Sequence, residues 1–322
     1  MKLFSRMAAL SALSVLTIPA LALDLGEYNG TRLAFGGYIK TEAVSTQPEV
    51  GSASFAATSR QSRFNFTLLS EVEGHQVKGF IEGDFYGTNG AWRMRHTYVK
   101  VDNTTMGQYW TGQFLGVIGS DLLDFSGDVG SLAAASFRTT LVHQEFGGTR
   151  ISLQNPANVN AEYPDMAIGH RFSLDGGTQL NLLVSSRQME NDENGTGIGV
   201  AAKVMLGQDD LRFNAHAGHG LAVFTGVGAD VENGDKVAQK GWNLSYRHVW
   251  AADWRSSVKW TSVQVDDAAD TSYRSIHANL IHTLFKGMEA GLEWRKRDLD
   301  PTDTSNSFKD RQQIELMAKY SF

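Results

Sequence analysis

Basic and acidic side chains recur through the first half of the chain, some of them two residues apart. Arg63 is followed by Lys78, Glu82 and Asp84, then by Arg93 and Arg95, then by Arg138 and Arg150. A guanidinium grips a carboxylate or phosphate through two parallel hydrogen bonds. A ring of fixed charge around an opening selects the sign of the ions that pass. The chemistry on offer is therefore guidance of anions; the competing use is bracing, with the arginines neutralised by Glu82 and Asp84. A second constellation, Ser275, His277 and Asn279, has the residue types of a nucleophile, a base and its orienter. Alternate residues on a strand lie about 6.8 Å apart, whereas a proton relay needs contacts near ~3 Å. A polar lining is the better reading of those three. His216 and His219 are three apart, on opposite faces of a strand, so they make a poor metal pair. No glycine-rich phosphate loop is present, and no metal or cofactor is expected.

These residues need elements to hold them, and the last twelve, RQQIELMAKYSF, reveal the type. Ile314, Leu316, Ala318, Tyr320 and Phe322 share one face, and Gln313, Glu315, Met317, Lys319 and Ser321 the other. That is the period of two of an extended strand. Sixteen such segments are predicted, near 31–44, 61–72, 75–86, 91–102, 105–114, 135–147, 149–155, 163–174, 177–189, 195–207, 210–218, 238–250, 253–265, 272–285, 287–298 and 310–322. No amphipathic helix and no linker interrupts them. Short connectors such as VEGH, DNTT and DGG alternate with longer polar loops, the mark of an outer-membrane barrel. A soluble sandwich would bury the apolar faces. Here Tyr98, Trp242, Trp250, Trp254, Trp260, Tyr273, Phe285, Trp294, Tyr320 and Phe322 fall largely near strand ends, where girdles meet headgroups. The expected fold is all-β: a transmembrane antiparallel β-barrel of about sixteen strands.

Lipid on one face puts the alternate residues in the lumen. With Phe64, Phe66 and Leu68 outside, Arg63 turns in; with Val77, Ile81 and Phe85 outside, Lys78, Glu82 and Asp84 turn in. With Trp92, Met94 and Tyr98 outside, Arg93 and Arg95 turn in, although Val99 and Val101 would then also face the lumen. Phe137 and Leu141 outside would turn Arg138 in, and the same logic turns in Arg150, Arg171, Arg187, Arg212, Arg247, Arg255, Lys259, Arg295, Arg297 and Lys319. Lipid-facing arginine costs about 2–4 kcal/mol at the midplane. One connector, 116–136, is long yet carries Leu122, Leu123, Phe125 and an alanine run. It is expected to fold into the lumen as a constriction loop, with Asp121, Asp124 and Asp128 opposing part of the basic wall. Its acid spacing lacks the calcium-loop pattern.

The first 22 residues, with Lys2 and Arg6 before an apolar run and Ala20-Leu21-Ala22 after it, form a cleavable secretion signal. Residues 23–322 then form one barrel domain. Removing the leader takes the net charge from −6 to −8, which argues against nucleic-acid binding. The absence of cysteine leaves closure to backbone pairing. The expected setting is the outer membrane of a Gram-negative cell, with its lipid as a partner.

The stretches ATSRQSRFNF (57–66), KGFIEGDFYG (78–87), RMRHTYVKV (93–101), GQYWTGQF (107–114) and LLDFSGDVG (122–130), with SIHANLIHT (275–283) and the closing strand, resemble the DcaP-like outer-membrane porins. The specific motifs lie mainly between residues 57 and 130. The resemblance implies a homotrimer of sixteen-stranded channels taking up small anionic solutes, dicarboxylates among them. Members can carry an N-terminal coiled coil. With about ten residues between leader and first strand, that module is expected to be absent.

Overall fold

The computed structural model describes residues 22–114, 119–124, 127, 129–132, 137–302 and 310–322. The expected leader, apart from Ala22, lies outside them, as does Asp128. Sixteen antiparallel strands close into a barrel. They are β1 Thr31–Pro48, β2 in two pieces (Ser54–Thr58 and Arg63–Val72), β3 His75–Asp84, β4 Arg93–Val101, β5 Thr104–Trp110, β6 Arg138–Phe146, β7 Thr149–Gln154 and β8 Asp165–Ser173. The second half comprises β9 Gln179–Gln188, β10 Asn194–Leu206, β11 Asp209–His219, β12 Ala238–Ala251, β13 Trp254–Val265, β14 Ser272–Phe285, β15 Met288–Asp300 and β16 Arg311–Ser321. Each pairs with its sequence neighbour, and β16 pairs with β1 from Tyr38↔Ser321 to Pro48↔Arg311. Among the described residues no helix is long and apolar enough to cross a membrane; outside the helical class, a closed barrel is the other architecture that can span one.

Burial is inverted relative to a soluble sheet. On β16, Ile314 and Leu316 are 50% and 58% exposed, while Gln313 and Glu315, which alternate with them, are 6% and 1% exposed. Trp242, Trp250, Trp260, Trp294, Phe285 and Tyr320 all face outward, as the girdle reading requires. Tyr273 does not: it is 2% exposed and packs inside with Val227, Val237 and Val263.

Two alternations differ from the sequence reading, each for a definite reason. On β4, Glu82 pairs with His96 while Gly83 pairs with Met94, so Arg95 is the extra residue of a β-bulge. A bulge inserts one residue and reverses the phase beyond it. Trp92 and Met94 face out and Arg93 and Arg95 face in, as expected. After the bulge Tyr98 and Lys100 face the lumen, and Val99 and Val101 face lipid. On β6, Val142 and Phe146 are exposed and Leu141 is 4% exposed, so Leu141 faces inward. Arg138, the first residue of β6, has the parity of Thr140 and Val142, yet its guanidinium reaches His96, which shares the lumenal phase of Tyr98.

The seam depends on Gly37. Its N–H donates to the Phe322 carbonyl at 3.0 Å, and its carbonyl accepts from the Phe322 N–H at 3.1 Å. Its φ is +149°, and a Cβ there would lie 2.2 Å from the Arg63 carbonyl oxygen. Below this point a lead strand, Leu23–Tyr28, pairs with the lower half of β1. Gly37→Val should block closure and sharply reduce the folded, heat-modifiable form on gels. Wild-type folding yield would contradict this account of the seam.

Candidate functional site

The connector between β5 and β6 enters the barrel, and the wall reaches into it along its length. Arg150 on β7 donates to the Gly112 carbonyl at 3.0 Å and to the Phe114 carbonyl. Arg212 donates to the Gly119 carbonyl. Arg255 Nε meets the Asp121 carboxylate at 2.7 Å, and Asn279 donates to the Asp121 carbonyl at 2.7 Å. The Leu123 N–H donates to Glu293 Oε2 at 2.7 Å, and Lys40 Nζ reaches the Leu123 carbonyl at 2.8 Å. Asp124 pairs with Arg297 and, at 3.5 Å, with Arg295. Lys259 donates to the Gly127 carbonyl at 2.6 Å. The Leu123 side chain, 1% exposed, packs on Ile281 and Met317. Buried backbone groups must find partners, and here wall cations and Glu293 supply them. The cations predicted to face inward on β13 and β15 thus hold the loop.

A second loop was not anticipated. The segment Gly218 to Val237 reads as a longer polar connector, yet within it Leu221 and Phe224 pack with Leu132, Ala167 and Leu183 inside the barrel. The Gly130 N–H donates to the Thr225 carbonyl at 2.8 Å. Arg187 ties this loop down through Asp230 at 2.6 Å. Burial pushes the Asp230 carboxyl up, against the opposing pull of the Ala222 N–H and Arg187. The run LAVF (221–224) was the available signal, the same one that marked the first loop. Lys40 was also missed, although it alternates with the lipid-facing Ile39. Its ammonium meets Glu42, Glu315 and Gln61 at 2.8, 3.1 and 2.7 Å.

Apart from Arg150 and Arg138, the structure gathers the predicted wall around Asp84 and Glu82 or on the same strand face. Arg93 binds Asp84 through two bonds of 2.9 and 2.7 Å. Arg95 bridges Asp84 at 2.6 Å and Glu82 at 3.3 Å. Arg63 lies 3.5 Å from Glu82 and 5.0 Å from the Tyr38 ring. The acids thus neutralise much of this cluster, and both uses weighed from the sequence coexist. Lys78 has no ion-pair partner among the described residues. Arg138 stands apart, stacked 4.0 Å from the Trp110 ring and donating to His96 Nε2 at 3.2 Å. Asp121 and Asp124 do oppose cations, but these belong to β13 and β15, not to the Arg63–Arg95 wall.

Ser275, His277 and Asn279 share the lumenal face of β14, as expected, at 3%, 0% and 8% exposure beneath the loop. His277 Nδ1 meets Glu293 at 3.1 Å, and Asn279 holds Asp121 and the Ser257 N–H. Among the described residues no hydrogen bond joins Ser275 to His277. Asp124, His277 and Glu293 also bring three ligand-type atoms within 4.8 Å of one another. Arg295 and Arg297 already occupy those carboxylates, which supplies the charge a divalent ion would bring.

A closed sixteen-stranded barrel with a loop tied across its interior has the architecture of the outer-membrane porins and channels. The outer membrane channel DcaP of Acinetobacter baumannii is similar over 93% of this chain and 99% of that one, with a TM-score of 0.79 at 19% identity. An anion-selective porin from Comamonas acidovorans matches over 91% and 100%, with a TM-score of 0.70 at 12% identity. OmpF of Salmonella typhi, in complex with daunomycin, matches over 92% and 99%, with a TM-score of 0.70 at 14% identity. No family model and no curated protein matches the chain.

Proposed function

We propose that this chain is a passive diffusion porin of the Gram-negative outer membrane, exported with a leader cleaved after residue 22. It prefers small anions, carboxylates and dicarboxylates among them. The observation that carries this reading is the contrast between the two sides of the lumen. Wall residues beneath the loops are buried: Lys259, His277 and Glu293 are each 0% exposed. On β1–β5, Tyr38, Arg63, Lys78, Phe80, Glu82, Tyr98, Lys100 and Tyr109 keep part of their surface open. Sixteen strands leave room for an aqueous channel, and the water path runs between the loop and this wall. Cations exceed carboxylates along it, since Arg63, Arg93 and Arg95 face Glu82 and Asp84, Lys100 meets Glu145, and Lys78 has no ion-pair partner among the described residues.

Two features of the solved relatives support the finer points. The Comamonas protein is described as anion-selective, and OmpT of Vibrio cholerae, a similar barrel, is described in a trimer form. A homotrimer is accordingly part of the proposal. The enzyme alternative loses support from the burial of Ser275 and His277 and from the engagement of Asn279 by the loop.

Reversal potential across a salt gradient in a planar bilayer tests the reading. Wild type should favour anions. Arg63→Ala combined with Arg95→Ala strands Glu82, leaves Asp84 with Arg93 alone, and should move the potential toward cation selectivity. An unchanged potential would remove these arginines from the selectivity wall, and absence of any current would end the porin reading.

A further inference from the structure

The open wall carries something a water-filled lumen does not require. Phe80 on β3 pairs across the strands with Tyr98 on β4, and Lys78 with Lys100 directly beside them. The Phe80 and Tyr98 rings lie 5.3 Å apart, and Tyr109 on β5 stands edge-on to Tyr98 at 4.9 Å. Tyr98 joins the other two rings in the lumen only because the bulge at Arg95 reverses the phase of β4. Phe80, Tyr98 and Tyr109 are partly open, and none belongs to the apolar clusters packed beneath the two loops. Apolar surface facing water is unfavourable, and barrel lumens are otherwise polar. The Lys78 ammonium lies 5.4 Å from the centre of the Phe80 ring. Lys100 meets Glu145 at 2.8 Å, which leaves Lys78 as the cation at this patch with no acid beside it among the described residues.

We infer that Phe80, Tyr98 and Tyr109, with Lys78 and Lys100, form a station for a flat single-ring carboxylate. The solute ring lies against Phe80 and Tyr98, where offset or edge contacts between rings are favourable. Its carboxylate meets the Lys78 ammonium, assisted by Lys100. Aliphatic carboxylates use the charge but not the rings, and neutral arenes use the rings but not the charge. The station requires both halves of the ligand, so it discriminates among the anions that the porin reading admits, and it rests on that reading.

The test is current block in a bilayer by benzoate, acetate and benzyl alcohol. Benzoate should block wild type at concentrations about threefold to tenfold below those of acetate, the worth of one or two ring contacts. Benzyl alcohol should block poorly. Phe80→Ala with Tyr98→Ala should abolish the benzoate advantage, and Lys78→Gln should weaken benzoate block several-fold while conduction persists. Equal potency of benzoate and acetate in wild type overturns the station, as does a benzoate advantage that survives loss of both rings. Calorimetric titration of the detergent-solubilised protein with benzoate separates the two claims. Binding that depends on Lys78 and Phe80 but comes without current would retain the station and sink the porin reading, whereas current without such binding would do the reverse. Heat-modifiability on gels verifies that each variant is folded.

Discussion

Replacing residues 119–132 by a short glycine–serine link should raise single-channel conductance by about twofold or more, because resistance concentrates at the narrowest section of a pore. The excised segment holds Asp121, Leu123, Asp124 and Gly127, which engage Arg255, Glu293, Arg297 and Lys259 across the interior. The barrel should survive the excision. Its sixteen strands are joined by backbone ladders that do not include the loop, and the uncovered wall is largely polar apart from Ile281, Met317, Ala167 and Leu183. The loop 220–237 loses Gly130 and Leu132 as partners but keeps the Arg187–Asp230 tie. Unchanged conductance in single-channel recordings would mean that the water path avoids this loop, and the constriction would have to be sought under 220–237 instead.

The second large effect is expected at Glu293. Its carboxylate is fully buried and serves four donors: the Leu123 N–H at 2.7 Å, His277 at 3.1 Å, Arg295 at 3.3 Å and Asn279 at 3.5 Å. Glu293→Leu removes the acceptor and leaves a buried loop N–H and part of a guanidinium uncompensated. Breaking a buried ion pair from one side costs about 3–5 kcal/mol. Arg295 keeps Glu315 at 2.7 Å, so the low end applies. The cost falls on loop docking: Glu293→Leu should expose 119–132 to protease in the folded barrel and lower the temperature of the heat-induced gel shift. Glu293→Gln retains an acceptor and should do much less. Wild-type protease resistance in both variants would show that the loop is held by Leu123 packing and its cationic contacts alone.

The barrel was legible because lipid imposes a strict rule. Every second residue on each strand must be apolar, and that periodicity survives in a linear string without any knowledge of contacts. It located the strands to within a few residues, the outward girdle tryptophans, and the inward faces of β2, β3, β14, β15 and β16. It also flagged the first inserted loop through Leu122 and Leu123. The reading failed where the count of residues per strand changed. One extra residue at Arg95 flips Tyr98 and Lys100 inward, and a pattern of period two cannot announce where it will slip. On β6 the apolar Leu141 was placed in lipid, yet it faces inward at 4% exposure.

Partnership is the other thing the string withholds. The sequence by itself determined that sixteen strands would close with one face in hydrocarbon and charge within, since the solvent on each side is decided residue by residue. Tertiary structure alone decided which charges face each other. Asp124 meets Arg297 across 173 positions of chain, Asp84 draws Arg93 and Arg95 to itself, and Lys78 is left beside an aromatic floor. Those pairings depend on how the loops fold back and on the stagger of neighbouring strands, quantities set by three-dimensional closure and not by local pattern.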